Sequence, residues 1–150
     1  MLKTILFGGA VIESTLANVG LAILRVFTGL SMAFSHGLGK IPPSEGFVNG
    51  VAKLGFPLPD FFAWAAATGE FGGSLLLALG LLTRPGSFLM GFTMLVAGLI
   101  RHASDPYKRK EMALLYLAIA IMFILVGSGR YGVDAWVRRK QHLGAVLERA

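Results

Sequence analysis

The chain has 150 residues, 55% hydrophobic and 15% charged, with a formal charge of +6 and a mean hydropathy of +0.68. Soluble domains carry about a quarter charged residues, so a soluble protein is excluded early, and basic groups scattered between apolar runs suit anionic lipid headgroups rather than nucleic acid. The absence of cysteine excludes disulfides, thiol redox chemistry, iron–sulfur clusters and cysteine-ligated zinc.

Leu2 to Val11 is too short to span and lacks a persuasive cleavage site, so it reads as a short interfacial helix rather than a signal peptide. The first span, about residues 16–35, is apolar apart from Asn18 and Arg25. Pro42, Pro43, Gly46, Gly55, Pro57 and Pro59 then predict a structured loop rather than a continued helix. The second span, 61–82, reads FFAWAAATGEFGGSLLLALGLL and carries Glu70 alone. A carboxylate there has an insertion penalty of roughly 2.5 to 3.5 kcal/mol, tolerated only with a partner or a function. Thr83-Arg84-Pro85 is a tight link, with proline opening the third span at 85–102, so these two spans form an antiparallel hairpin. The fourth span, 112–128, carries no charge. Each lies at the low edge of the roughly 20 residues a crossing needs, so little tilt is expected. In the tail, 136–150, Trp136, Val137, Leu143, Val146 and Leu147 stand among Arg138, Arg139, Lys140 and Arg149, the pattern of a basic amphipathic helix on the membrane. The expected fold is an all-α integral membrane protein, a single four-helix transmembrane bundle.

Four crossings put both termini and the 83–85 link on one face, A, and the 35–60 and 101–111 loops on the other, B. Face A has Arg84, Arg130, Arg138, Arg139 and Lys140, and face B has Lys40, Lys53, Arg101, Lys108, Arg109 and Lys110, so charge does not orient the bundle. Depth is more telling. Counted from face B at ~1.5 Å per residue, Arg25 and Glu70 both lie roughly 14 Å deep, which predicts that they pair. His36, Lys40, His102 and Glu111 form the mouth of a funnel above them, with Tyr116 part-way down. Face A shows no such gradient. Ala65, Gly69 and Gly73 form a small-residue stripe, read first as packing within the bundle and second as an oligomer contact.

The stretches LRVFTGLSMAFSHGLGK, TGEFGGSLLLALGLLTRPG and KEMALLYLAIAIMFILVGSGRYGVD, in that order between Leu21 and Asp134, resemble the DoxX family of small membrane proteins. The resemblance implies a four-helix protein of the prokaryotic cytoplasmic (inner) membrane with both termini cytoplasmic. It also implies a subunit of the quinol oxidase or thiosulfate:quinone oxidoreductase type, working with a membrane or redox partner protein or as a homo-oligomer. Carried over by position, the matching polar residues are Arg25, His36, Lys40, Glu70, Arg84, His102, Gly129, Tyr131 and Asp134. They mark a site without assigning a mechanism.

A quinone site needs an apolar slot, donors for two carbonyl oxygens and a proton path. The catalytic candidates are Glu70 and Arg25, and the substrate-binding candidates are His36, Lys40, His102, Tyr116 and Glu111. Phe27, Phe34, Phe71 and Trp64 are the expected ring contacts. Against this, an Arg25–Glu70 pair could simply lock helices, and the mouth residues could snorkel to headgroups, a reading favoured for Lys40 and Glu111 above all. Haem b held by His36 and His102 is disfavoured, because both lie at span ends beside charged loops, and a metal site from His36, His102 and Glu111 is equally weak, so no metal is expected. Arg84, Arg130, Tyr131 and Asp134 read as interfacial anchors and caps. The leading expectation is a membrane oxidoreductase subunit with a quinone, quinol or small-substrate site. The alternatives are a non-enzymatic assembly or scaffold subunit and a small proton-coupled transporter.

Overall fold

In a computed structural model, which describes residues 6–147 with side chains to Lys140, the described chain is helical throughout and has no strand. Residues 2–5 of the 2–11 segment and the last three residues of the tail lie outside the described residues; of the rest of that segment, residues 6 and 7 are helical and 8–11 are not. Helix α1 covers Thr15–Lys40, α3 Pro59–Leu79 and α4 Thr83–Arg101, and these three are long and apolar enough to cross a membrane. Helix α2 is Glu45–Lys53, α5 is Tyr107–Val126 and α6 is Val133–Leu147. Helix α5 has 20 residues, but Lys108, Arg109, Lys110 and Glu111 occupy its start. The structure therefore gives three helices of spanning length and composition, where the sequence predicts four.

Helix α1 begins at Ser14, whose hydroxyl accepts from Ala17 N at 3.3 Å, a side-chain N-cap. It does not stop near residue 35. A π-helical turn at Ala33–Gly37 and a 3-10 turn at Leu38–Lys40 carry it onward, because Gly37 and Gly39 continue the helix instead of ending it. The 41–60 connection, expected as a loop, contains α2, capped by Ser44 accepting from Phe47 N at 3.3 Å.

Glycines set how the helices meet. A Cβ added at Gly29 would stand 2.5 Å from Ser74 O, and one at Gly37 would stand 2.6 Å from Phe71 N. Backbone contact at two points locks α1 antiparallel to α3 in a single register. Gly73 and Gly86 do the same for α3 and α4, where an added Cβ on either would come within 2.9 Å or 2.7 Å of the other's carbonyl. Gly69 lies over Leu89 O, so two members of the small-residue stripe pack within the bundle, while Ala65 is exposed. Met32, Leu77, Met90, Met94, Ala120 and Phe123 fill the core. Large apolar side chains such as Leu16, Phe27, Phe88, Leu115 and Leu125 point outward, as in a bundle whose solvent is lipid.

Candidate functional site

The register separates the two charges expected to pair. Gly37 touches Glu70 and Phe71, whereas Gly29 touches Ser74 and Ala78, so Arg25 faces the far end of α3 near Gly80. Measured on the true helix ends, Arg25 lies fifteen residues before Lys40 and Glu70 eleven after Pro59. The depth arithmetic fails because α1 runs past residue 35. Arg25 and Glu70 lie at different levels, Arg25 beside the face-A end of α3 at Leu77 and Ala78 and Glu70 beside Gly37 of α1.

Glu70 sits in a π-helical turn, Gly69–Gly73, and is 4% exposed. Its partner is Lys40, whose Nζ donates to both carboxylate oxygens at 2.6 and 2.5 Å. Such a bidentate, charge-assisted contact offsets the burial of the carboxylate. The Lys40 side chain is one-third exposed and stands 5.4 Å from the Phe47 ring centroid, so the ammonium joins the buried carboxylate to the surface. The expectation that Lys40 only snorkels is corrected here.

Beside this pair lies a cavity of about 430 Å³, bounded by α2, α3 and α4. Phe47, Phe56, Phe62 and Phe92 give it an aromatic wall, and its polar side chains are Lys40, Glu70, Thr93, Arg101 and His102. The expected ring contacts, Phe27, Phe34, Phe71 and Trp64, are not on this wall. Phe27 and Trp64 face outward, and Phe34 packs edge-on against Phe71 at 6.2 Å. Two of the true wall residues, Phe47 and Phe56, come from the connection expected as a loop. The Ser44 cap followed by Glu45 was the signal for α2.

His102 closes the rim. Its Nδ1 lies 2.7 Å from Asp105 Oδ2, and Asp105 also takes a 3.5 Å contact from Arg109. The hydrogen bond to His102, helped by the attraction of Arg109, holds the Asp105 carboxyl below the usual range. Asp105 escaped the sequence reading, although its position three residues after His102 suits a local pair. His36 lies off the cavity, edge-on to Tyr116 with ring centroids 6.1 Å apart. Glu111 is exposed and also off the lining. The predicted funnel is thus divided: Glu70, Lys40 and His102 share the cavity, His36 and Tyr116 form a separate contact, and Glu111 stands apart. Three π-helical turns, Ala33–Gly37, Gly69–Gly73 and Ala97–Arg101, gather at this end, and such turns often accompany functional sites.

Face A, expected to lack a polar gradient, holds the more deeply buried network. Arg25, 2% exposed, donates to Leu77 O at 3.2 Å, Ala78 O at 3.0 Å and Tyr131 O at 3.3 Å. Leu77 and Ala78 are last-turn carbonyls of α3, where the regular helix bonds run out, and Leu77 O also accepts from Gly80 N at 3.0 Å. Asp134, 1% exposed, accepts from Leu82 N at 2.8 Å, Thr83 N at 2.9 Å and Thr83 Oγ1 at 2.6 Å. It caps α4 from another helix and fixes the left-handed Leu82, at φ 47°. Asn18 accepts from Arg130 N at 2.8 Å and donates to the carbonyls of Ile12 and Ser14. Asp134 therefore acts as the cap its sequence position suggests.

The DoxX family model matches residues 20–103, and the model described as TQO small subunit DoxD matches residues 64–146. The first match takes in Lys40, Glu70 and His102, and the second takes in Asp134. A protein of Bacillus subtilis (strain 168) named "Putative oxidoreductase CatD" is 32% identical over 130 residues, covering 86% of this chain and 95% of that one. No solved structure gives a significant match.

Proposed function

The chain belongs to the DoxX family, and from that premise we propose that this integral membrane oxidoreductase-type subunit binds a quinone, quinol or similar small ring in its face-B cavity. The observation that carries the reading is the Lys40–Glu70 pair set against an aromatic-walled cavity of about 430 Å³. That volume lies within the roughly 300 to 1,000 Å³ of small-molecule sites, which are mostly apolar with few polar groups. The residues suit the chemistry: phenyl rings for the ring face, an ammonium to hold a carbonyl or phenolate oxygen, and a buried carboxylate to exchange its proton. When bound, a quinone supplies a two-electron, two-proton couple. In this reading Lys40 is the oxygen ligand, Glu70 the proton carrier and His102 the rim donor, while Arg25 is structural. The electron partner is a second membrane or redox subunit, in keeping with the description of the DoxD model as a small subunit.

In the same proposal α5 makes the fourth crossing from Met112 onward, with Lys108 to Glu111 at the face-B interface. Face A then lies on the cytoplasmic side of an inner membrane. A titration of the purified protein with a short-chain quinone, read by bound quinone in mass spectrometry, tests the site. Saturable binding that weakens about tenfold or more, or 1.4 kcal/mol, in Glu70→Gln supports it, and binding unchanged by Glu70→Gln sinks it. One observation favours a second reading. Lys40 and Glu70 satisfy each other across α1 and α3, so a scaffold subunit would use the pair as a staple. In that case Lys40→Gln with Glu70→Gln would fold and work normally.

A further inference from the structure

A second concavity opens on face A, far from the quinone cavity. It measures about 510 Å³ and lies between residues 9–12, ahead of α1, and the start of α6. Arg130, Arg138 and Arg139 all line it, and no carboxylate does. Arg130 and Arg139 are exposed, and among the described residues neither forms an ion pair. Asp134 is the buried carboxylate of this end, but both its oxygens are committed to Leu82 and Thr83. Arg138 is oriented by backbone, donating to Phe7 O and Gly129 O. Burial pushes its guanidinium below the usual range, Asp134 opposes this, and Arg84 and Arg139 push it further. Among the described residues, the positive charge lining this concavity is therefore not matched by ion pairs.

The rest of the lining identifies the kind of anion. Val11 is 93% exposed and Ile12 lies beside it on the same wall, so apolar and cationic surfaces adjoin. One turn along α6 from Gly132, Trp136 is exposed with Lys140 Nζ 4.0 Å above its ring, a pairing that belongs at headgroup depth. The start of α1 at Thr15 and of α4 at Thr83 puts the concavity at the same level. We infer that it binds the phosphate of an anionic phospholipid headgroup, with Arg130 and Arg139 as the phosphate ligands, Arg138 as a fixed positive neighbour, and Val11 and Ile12 against the glycerol and upper acyl chain. Guanidinium forks match phosphate oxygens geometrically, and basic pockets at the interface suit anionic headgroups.

The test uses the purified full chain in detergent, with phosphatidylglycerol, phosphatidylcholine or inorganic phosphate added at equal concentration. Lipid retention is read by native mass spectrometry and stability by thermal melting. The parent should retain phosphatidylglycerol and melt higher with it, but not with phosphatidylcholine or inorganic phosphate. Arg130→Gln with Arg139→Gln should weaken retention about tenfold while melting like the parent in phosphatidylcholine, since both side chains are exposed. Lys53→Gln with Lys108→Gln, an equal charge change on exposed face-B positions, should stay within about twofold of the parent. Equal losses in the two double variants would overturn the site, as would equal retention of phosphatidylcholine. An equal melting shift from inorganic phosphate would overturn the lipid assignment.

Discussion

The two ends of the bundle handle buried charge in opposite ways. At face A, Arg25 and Asp134 are each held by three backbone or hydroxyl partners from other segments of the chain and are almost wholly inaccessible. At face B, Glu70 has a single side-chain partner, the one-third-exposed Lys40, which borders a cavity. A charge whose hydrogen bonds go to backbone groups inside the packed bundle fixes geometry, and at Arg25 the one nitrogen left without a partner, Nε, is buried away from any ligand. A charge held by one partly exposed ammonium can exchange that partner for another. Burial alone does not separate these roles, since Arg25 and Glu70 are both buried. The identity of the partners does.

The largest expected effect lies at face A. Asp134→Ala strands the Leu82 and Thr83 amides and the Thr83 hydroxyl, and hydrogen bonds to charged groups are each worth about 1.5 to 3 kcal/mol. Chemical denaturation should show a loss of about 3 kcal/mol or more, and a loss below 1 kcal/mol would break the contrast. Arg25→Met should follow, losing about 2 kcal/mol as three charge-assisted hydrogen bonds to carbonyls are lost, Leu77 O alone keeping the Gly80 amide. Combined with Glu70→Gln, its effect should add within about 0.5 kcal/mol, as it does for sites that share no partner. A larger coupling would revive the discarded Arg25–Glu70 pair. Lys40→Gln should destabilise by a similar amount, about 2 kcal/mol, because the buried Glu70 carboxylate loses its ammonium partner, and it should also weaken ring binding about tenfold. The smallest effect belongs to Asp105. Its folded-state pKa is depressed, so its contribution is present above the unfolded carboxylate pKa and lost as pH falls through the folded one. Hydrogen exchange of the 102–106 backbone should rise on that acid limb, and Asp105→Asn should abolish the dependence.

Much of this was legible in the sequence. Apolar runs gave the helices, and one carboxylate in an apolar run gave Glu70 as the polar centre of the candidate site. The hairpin was expected to turn at Thr83-Arg84-Pro85, but the turn is residues 80–82 and those three residues open α4. The misreadings share a cause. Periodicity assigns a residue to a face of a helix but not to a level against its neighbour. That level depends on where Gly29 and Gly37 let two backbones touch, and on π and 3-10 turns that lengthen α1 to Lys40. The extension brings Lys40 to Glu70 and carries Arg25 away from it. Phe47 and Phe56 were hidden because prolines and glycines around α2 mask a short helix. The partners of Arg25 are backbone groups, as are two of the three partners of Asp134, and these no side-chain pattern can announce.

The comparison turns on ligand binding in two variants measured side by side. Quinone titration of Lys40→Gln and Arg25→Met, in the same detergent and with the folded fraction checked by melting, tests it most directly. Binding should weaken about tenfold or more in Lys40→Gln and stay within about twofold of the parent in Arg25→Met. Weakened binding in Arg25→Met with Lys40→Gln unchanged would contradict the account.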